Sequence, residues 1–476
     1  GFGPGSVVYD VPTRIGPDQP QNYDGKFDGP MTMRQGLAQS RNITAVKAYF
    51  LAGEQDPIIE LATNMGITTL SKNYDYGYPL ALGAGEAKLM EMVKAYGVFA
   101  NGGKATDTVS ILKVENSNGD ILEEWKETDI KDKEVLDPQI AYLINDILSD
   151  TGHRLGPNLT VDGKVNAAKT GTSTDKNKKE AGVVRPRDLW TIGYTPNLVA
   201  GVWAGNNKPG EKPLNLTANG YDTAAPIWKA FMMEALKDTP SEAFERPAEI
   251  KDVAISKASG KLPSDITPED MIITEKFTSF GTPDEVDDRL IIAEVDLISG
   301  KLIGEGCEKH LTEERIFINH KPIEDRSTWE AGVAQWVESI RIKSEETGEP
   351  LDVLFKIKPK EECKAPSEEE KAKMPEIIIT SPQAFATVPK GKLDIEVDVT
   401  APFGVFKIDY YYDDNFQFTT ETAPYTGKLR IAPITKDGSK HKVRVELYDK
   451  EGFYSESSIE IKVGEPEPEE EEDSDT

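Results

Sequence analysis

The spacing of apolar residues predicts both helices and strands in the first half of the chain. Helical periodicity, with an apolar residue at every third or fourth position, covers 32–51, 86–100, 138–148 and 224–236. The first of these segments is interrupted around Ser40-Arg41-Asn42, because Ser and Asn side chains compete for nearby backbone groups and are poor helix formers. Alternating residues over 106–125, centred on Asn118-Gly119, predict a β-hairpin.

Three short apolar segments predict a sheet in the same region. The segment 165–168 leads into Lys169-Thr170-Gly171-Thr172-Ser173, and the segments 189–194 and 198–203 are separated by Thr195-Pro196-Asn197. So short a connection predicts that the last two strands pair as neighbours. The mixture of helices and strands places residues 1–239 in the α+β class.

From residue 240 the pattern changes to short strands separated by Gly and Pro. Ser259-Gly260-Lys261-Leu262 recurs 40 residues later as Ser299-Gly300-Lys301-Leu302, but two copies are too few for a solenoid. The predicted domains are a β-rich linker region over 240–359, a charged linker over 360–375, an immunoglobulin-like β-sandwich over 376–464 and a disordered acidic tail over 465–476.

The net charge narrows the possible partners. The 476 residues include 55 basic and 83 acidic side chains, which give a formal net charge of −28. Sequence-independent binding to nucleic acid draws most of its affinity from Lys and Arg at phosphates, so no nucleic-acid partner is expected. No apolar run approaches the roughly 20 residues that a membrane-spanning helix needs.

The two cysteines, Cys307 and Cys363, leave two alternatives open: one disulfide in an oxidising compartment, or two unpaired thiols. A zinc site would need His310 and His320 as further ligands. The spacing of these four residues matches no zinc motif, so no metal site is expected.

The segment Lys169-Thr170-Gly171-Thr172 places an ammonium group, two hydroxyls and a glycine on one predicted strand. Glycine lacks the Cβ that would keep an incoming backbone away, and a strand at a sheet edge can accept an extended peptide as an additional strand. The ammonium and the Thr172 hydroxyl could then hold a carboxylate through charge-assisted hydrogen bonds. Taken alone, such a segment is more often a turn after a strand.

Ser40 and Asn42 lie where the helical pattern breaks. The ordinary role of such residues is to cap the helix that follows Ile43. A hydroxyl two residues from a carboxamide can instead relay a proton while the amide holds a substrate carbonyl. The residues themselves leave both roles open.

Five segments occur in a fixed order: Asn22 to Pro30 with Arg34 to Asn42, Leu82 to Gly103, Ala168 to Ser173, Asp188 to Gly205, and Ala224 to Trp228. Together they resemble the transpeptidase domain of class A penicillin-binding proteins, the bifunctional enzymes that build peptidoglycan. The first segment contains the Ser-x-Asn motif of that family at Ser40 and Asn42, and the third contains its Lys-Thr-Gly strand. The resemblance covers about residues 1–236.

The resemblance implies the penicillin-binding transpeptidase fold, which serine β-lactamases share, and an acyl-serine mechanism without metal or cofactor. A serine in a Ser-x-x-Lys motif attacks the D-Ala-D-Ala carbonyl of a stem peptide and passes the acyl group to an amine. By motif position, Ser40 would move the proton, Asn42 would hold the peptide amide and Lys169 would supply positive potential. The remaining substrate-binding residues would be Thr170, Gly171, Thr172 and Ser173, with the Thr172 N–H in the oxyanion hole.

The sequence departs from the family at the nucleophile. The Ser-x-x-Lys pattern occurs at Ser110–Lys113, Ser173–Lys176 and Ser439–Lys442, all after Ser40, whereas the family places it before Ser-x-Asn. We therefore expect the chain to begin just after its catalytic serine and to be inactive alone. The resemblance further implies a preceding membrane anchor and glycosyltransferase domain, an extracytoplasmic location at the bacterial membrane or wall, and binding of stem peptides and β-lactams.

Two other functions stay open. β-Lactamases and β-lactam sensors share the three motifs, but a hydrolase adds a Glu that activates water, and no such Glu can be singled out. Alternatively, the chain is a non-catalytic module whose immunoglobulin-like domain contacts wall glycan or a protein. Tyr410, Tyr411 and Tyr412 are candidates for that contact, although strand alternation buries at least one of them.

Overall fold

The computed structural model of the chain describes residues 2–126, 132–180, 183–207, 214–305, 307, 311–320, 327–348, 351–364 and 367–465. The chain forms two compact units. The first contains 1–290 and 318–355, and the second contains 291–317 and the chain from 356 onward. None of the helices in these ranges is both long and apolar enough to cross a bilayer.

The α-helices are α1 (Met33–Ala38), α2 (Asn42–Leu51), α3 (Gln55–Asn64), α4 (Leu89–Ala100), α5 (Pro138–Ser149), α6 (Ala225–Ala235), α7 (Ser327–Thr347) and α8 (Glu368–Lys371). Short 3₁₀ turns lie at Tyr78–Leu82, Pro157–Leu159, Glu269–Met271 and Val353–Phe355, and a π-helical turn at Gly220–Ala224 precedes α6.

The strands of the first unit are β1 (Val7–Asp10), β2 (Gly29–Thr32), β3 (Lys104–Ala105), β4 (Lys113–Glu115), β5 (Ile121–Glu124), β6 (Lys133–Glu134), β7 (Ala167–Glu180), β8 (Val183–Tyr194), β9 (Val199–Gly205), β10 (Lys251–Ser256) and β11 (Ile272–Phe277). Those that follow are β12 (Leu290–Asp296), β13 (Thr312–Ile318), β14 (Glu376–Ser381), β15 (Thr387–Val388), β16 (Gly391–Thr400), β17 (Val405–Tyr412), β18 (Asn415–Thr420), β19 (Gly427–Ile431), β20 (Lys440–Asp449) and β21 (Tyr454–Val463).

The central sheet of the first unit has the order β7-β8-β9, and all its pairs are antiparallel. The predicted pairing of the two apolar strands is therefore confirmed. Trp228 of α6 is fully buried against this sheet. A Cβ at Gly193 of β8 would lie 2.3 Å from the Trp228 ring, so glycine is needed for α6 to pack this closely. The packing fixes β7 and β8 as a rigid base.

The predicted helix over 32–51 is broken into α1 and α2 at Gln39 to Arg41, and the hairpin around Asn118-Gly119 forms as β4 and β5. Helix α7 was not predicted, because the Gly and Pro around it suggested only strands. Its apolar residues Val333, Trp336 and Val337 pack on Tyr9 and Val11 of the β1 region.

The structure differs from the predicted domain boundary at 239/240. Residues 240–290, with the β10–β11 hairpin, and residues 318–355, with α7, belong to the first unit. The buried ion pair between Arg34 of α1 and Glu275 of β11 (2.6 Å) illustrates the reason. Each member of a buried ion pair needs the other, because a buried charge without its partner destabilises the folded chain strongly.

The two Ser-Gly-Lys-Leu copies form the same turn. Ser256 N–H donates to the Lys261 carbonyl and Asp296 N–H to the Lys301 carbonyl, both at 2.8 Å. Each copy continues into a parallel bridge, Leu262 with Val286 and Leu302 with Glu362. The recurrence in sequence therefore reflects a duplicated structural element, with one copy in each unit.

The second unit contains the predicted immunoglobulin-like β-sandwich. One sheet has the order β14-β16-β19 and the other the order β15-β21-β20-β17-β18. Between them lies an apolar core that includes Ile395, Ile408 and Val445. Tyr410 is fully buried, whereas Tyr411 and Tyr412 are half-buried. The expectation that at least one of the three is buried is therefore confirmed.

Cys307 and Cys363 form a disulfide within the second unit, which resolves the alternatives left open by the sequence. Of the histidines considered with them, His320 contacts the Tyr9 hydroxyl in the first unit at 3.0 Å. His310 and the acidic tail after residue 465 lie outside the described residues.

Candidate active site

The Ser-x-Asn and Lys-Thr-Gly motifs meet at one point in the first unit. Lys169 Nζ of β7 lies 2.5 Å from the Ser40 Oγ, and it also donates to the Thr170 carbonyl at 2.9 Å. Burial lowers the pKa of Lys169 to about 8, because desolvation disfavours the charged form. This ammonium therefore releases its proton more readily than an exposed lysine does, and it lies next to a hydroxyl.

The backbone places Ser40 at the end of α1. Ser40 N–H donates to the Leu37 carbonyl (3.2 Å) and Arg41 N–H donates to the Gly36 carbonyl (2.9 Å), which together form a Schellman motif. Ser40 has φ of 59° in the position that glycine usually fills. A left-handed conformation costs a non-glycine residue about 1–2 kcal/mol. Strain of this kind is found preferentially at functional sites.

Asn42 begins α2 but does not cap it, and Ser40 does not cap it either. The cap comes from Asn22, whose Oδ1 accepts from Asn42 N–H at 2.8 Å and from Ile43 N–H at 3.3 Å. Asn42 Nδ2 donates to the Gln21 carbonyl at 2.9 Å. With the nitrogen of the carboxamide held in this way, its Oδ1 is the atom that can accept an N–H from a ligand.

Strand β7 lies at the margin of the described sheet, since it pairs only with β8 among the described strands. Gly171 faces Trp190 of β8 in the register, and a Cβ there would meet the Trp190 Cβ at an ordinary 3.5 Å. Its own sheet therefore does not require glycine at position 171. The outer edge of β7 is available for a further extended strand.

The residues after Gly171 are held by side chains and backbone groups from distant segments. Thr172 Oγ1 accepts from Gly220 N–H at 3.0 Å. Ser173 Oγ donates to Asp188 Oδ2 at 2.6 Å and accepts from Asp188 N–H at 3.1 Å. Ser173 is thus tied to its own sheet, whereas the Thr172 O–H remains able to donate to a ligand.

Three residues with evident effects on this site were not assigned roles from the sequence: Asn22, Asp188 and Gly220. Asn22 and Asp188 lie inside segments that resemble the family, so their positions carried a signal. Gly220 carried none, because its contact with Thr172 spans 48 residues. A Cβ at Gly220 would lie 2.5 Å from the carbonyl oxygens of both Gly171 and Trp190.

Two parts of the chain match known protein families. Residues 4–233 match the family of the penicillin binding protein transpeptidase domain, and residues 375–445 match the bacterial Ig domain. Penicillin-binding protein 1A of Rickettsia conorii is 32% identical over 55% of this chain and 35% of its own length. Penicillin-binding protein 1A of Clostridium botulinum (strain Langeland) is 29% identical over 65% of this chain and 37% of its own length.

The crystal structure of penicillin-binding protein 1A from Haemophilus influenzae is similar in fold, with 26% identity and a TM-score of 0.51. The similarity covers 60% of this chain and 46% of that one. The chain spans about a third of the length of the two curated relatives named above. Residues 4–233 are therefore a penicillin-binding protein transpeptidase domain, which is followed by a bacterial Ig domain at residues 375–445.

Proposed function

We propose that the first unit is the transpeptidase module of a peptidoglycan synthase, which crosslinks stem peptides ending in D-Ala-D-Ala through an acyl-serine intermediate. The observation that carries this proposal is the 2.5 Å contact between Lys169 and Ser40 beside the open margin of β7. It joins a proton relay to a strand that can hold an extended peptide.

The proton path runs through Ser40. Lys169 Nζ donates a hydrogen bond to Ser40 Oγ, which leaves the Ser40 hydroxyl proton free for the leaving amine of the stem peptide. As that proton departs, Lys169 passes its own proton to Ser40 Oγ. The low pKa of Lys169, about 8, supports this transfer, since an acid works best when its pKa lies near the working pH.

The substrate is proposed to lie along β7. Thr170 and Thr172 bind the terminal carboxylate in the positive potential of Lys169. Because Thr172 Oγ1 accepts from Gly220 N–H, its own O–H can donate to the ligand. Gly171 permits close approach of the peptide backbone, and Ser173 borders the site. Asn42 Oδ1 accepts the peptide N–H. The Thr172 N–H contributes to the oxyanion hole, where one donor is typically worth about 2.7–4 kcal/mol.

The nucleophile is proposed to come from residues outside this sequence, so that this chain alone is not acylated. Of the three Ser-x-x-Lys matches, Ser110 is exposed beside the β4–β5 hairpin and Ser173 is bonded to Asp188. The third, Ser439, lies in the second unit. None is the serine that the mechanism requires beside Ser40.

Labelling with a fluorescent penicillin, followed by denaturing electrophoresis, tests both parts. We expect no covalent band from this chain and a stable band from a longer natural polypeptide that adds a Ser-x-x-Lys segment. A labelled band from this chain contradicts the missing nucleophile. Rapid loss of label from the longer protein assigns it to the β-lactam hydrolases instead. No label in either polypeptide favours a non-catalytic wall module.

The remaining proposals concern the whole protein. Its extracytoplasmic location is supported by the Cys307–Cys363 disulfide, since such bonds persist in oxidising compartments. A preceding glycosyltransferase domain and membrane anchor follow from the class A resemblance. The Ig-like domain is proposed to contact the cell wall or a protein partner. Protease protection of intact bacterial cells, with an antibody to the Ig-like domain, tests the location.

A further inference from the structure

The Ser40–Asn42 segment is held by side chains from a separate part of the chain. Ser40 adopts φ of 59°, which residues other than glycine seldom do. Such a backbone persists only where the surrounding contacts over-determine it. The Schellman bonds fix the segment on the α1 side. A second set of bonds must fix it on the α2 side.

Arg41 lies between the two motif residues and its side chain enters the interior. Its Nε donates to Asp10 Oδ2 at 2.8 Å, its Nη1 to Asp24 Oδ2 at 3.0 Å and its Nη2 to the Lys26 carbonyl at 2.7 Å. A guanidinium whose three nitrogens all donate hydrogen bonds is held in one orientation, whereas an ammonium group can rotate. Arg41 therefore fixes the chain direction between Ser40 and Asn42.

Asn22 fixes the same segment from the other side. Its Oδ1 accepts from the backbone N–H groups of Asn42 and Ile43. Its Nδ2 donates to Asp10 Oδ1 at 2.7 Å and to the Lys26 carbonyl at 2.8 Å. Both ends of the carboxamide are thus committed, and a flipped amide would lose every bond.

Asp10 bonds to both Arg41 and Asn22. Its carboxylate is 0% exposed and accepts from Asn22, from Arg41 and from Asp28 N–H (3.1 Å). We propose that Asp10 is a positioning residue for the transpeptidase site, which acts through Arg41 and Asn22 to keep the Ser40 hydroxyl within reach of Lys169. This inference rests on the proposed function.

A buried aspartate elsewhere offers a matched control. Asp409 of β17 lies in the second unit, is 4% exposed and is bonded to Lys407 (2.6 Å) and Thr419 (2.5 Å). Asp409→Asn therefore makes the same chemical change in a similar environment that is remote from Ser40 in the chain. It shows whether loss of a buried carboxylate elsewhere in the same polypeptide is enough to change the Ser40–Asn42 segment.

The first measurement uses this chain as it is. Amide hydrogen exchange at Asn42 and Ile43 should become at least about tenfold faster in Asp10→Asn, because their common acceptor Asn22 loses its anchor. Arg41→Lys keeps the positive charge but loses the several N–H donors of the guanidinium, so it should also make exchange at these amides faster. It serves as the second variant if Asp10→Asn does not fold. Asp409→Asn should leave both amides unchanged.

The second measurement uses the longest polypeptide that contains this chain and is labelled by fluorescent penicillin. The Kd of the non-covalent complex should stay within about threefold, while the acylation rate constant falls at least about tenfold, since misplacing a reacting group by 1 Å can cost about 10²-fold. An unchanged acylation rate in a folded variant overturns the inference, as does an equal fall in Asp409→Asn. If no natural polypeptide that contains this chain is labelled, the proposed function itself is refuted.

Discussion

Lys47 Nζ donates to the Tyr9 carbonyl oxygen at 2.6 Å, in a part of the first unit where the lysine side chain is almost fully buried. The ammonium also lies 5.0 Å from the centre of the Trp329 ring of α7. Burial lowers the pKa of Lys47 to about 7, although Asp10 opposes the shift. One lysine of α2 thus connects β1 with α7.

The first prediction concerns stability against pH. The pKa of Lys47 is lower in the folded chain than the usual value of about 10.4 in the unfolded chain, so the unfolded chain binds more protons between about pH 7 and pH 10. Its contribution to the free energy of unfolding therefore rises with pH through that window, by up to about 1.4 kcal/mol for each unit of pKa difference.

Lys47→Met should flatten this rise. All six tryptophans lie in the first unit, so urea unfolding followed by tryptophan fluorescence at pH 6, 8 and 10 reports on that unit alone. Lys392→Met, at an exposed lysine of the second unit, is the control. Equal slopes for Lys47→Met and the unsubstituted chain would contradict the prediction.

The second prediction concerns Lys169 and compares its effect on the stability of the folded chain with its effect on the acylation rate. Lys169 is a partly buried cation whose pKa is lowered to about 8 by desolvation, so at pH 7 its charge destabilises the folded state. Lys169→Met should therefore raise the unfolding midpoint of this chain at pH 7. In the acylating polypeptide the same substitution should lower the acylation rate about 10²–10⁴-fold, the usual range for a general acid or base. A lowered midpoint would show that Lys169 has a mainly structural role.

The third prediction concerns Gly220. Ala at this position would bring a Cβ within 2.5 Å of two backbone oxygens, and backbone atoms cannot move aside as a flexible side chain can. Gly220→Ala should cost about 1–3 kcal/mol of unfolding free energy, as overpacking does, and should weaken penicillin binding by displacing Thr172. Gly97→Ala in α4 is the control, since its nearest neighbour is 4.0 Å away. It should be neutral or stabilising by up to about 1 kcal/mol.

The sequence predicted those parts of the site whose residues lie close together along the chain. Ser40 and Asn42 lie two positions apart and Lys169 to Ser173 form one segment, so their residue types could be read together. Their meeting across 129 residues followed from the family resemblance, because periodicity contains no information on long-range contacts. Asn22 bonds to Asn42 across 20 residues, and Gly220 bonds to Thr172 across 48 residues. Only tertiary packing determines such contacts.

The extent of the first unit was harder to predict for a related reason. Residues 240–290 are rich in turns, and their short strands suggested a separate linker. Arg34 on one side and Glu275 on the other carried no sign of pairing across 241 residues. This buried pair is one of the contacts that connect the segment to the rest of the first unit.

The last prediction tests that pairing. Arg34 donates to both oxygens of Glu275, at 2.7 and 2.6 Å, and to Asp146 at 2.5 Å. Arg34→Met leaves the Glu275 carboxylate, which is 4% exposed, without its cation. Breaking a buried pair in this way costs about 3–5 kcal/mol. Adding Glu275→Gln should recover part of that loss, since it removes the uncompensated charge. Tryptophan-detected unfolding of the single and double variants measures the coupling. Additive losses would mean that the pair does not join residues 240–290 to the rest of the first unit.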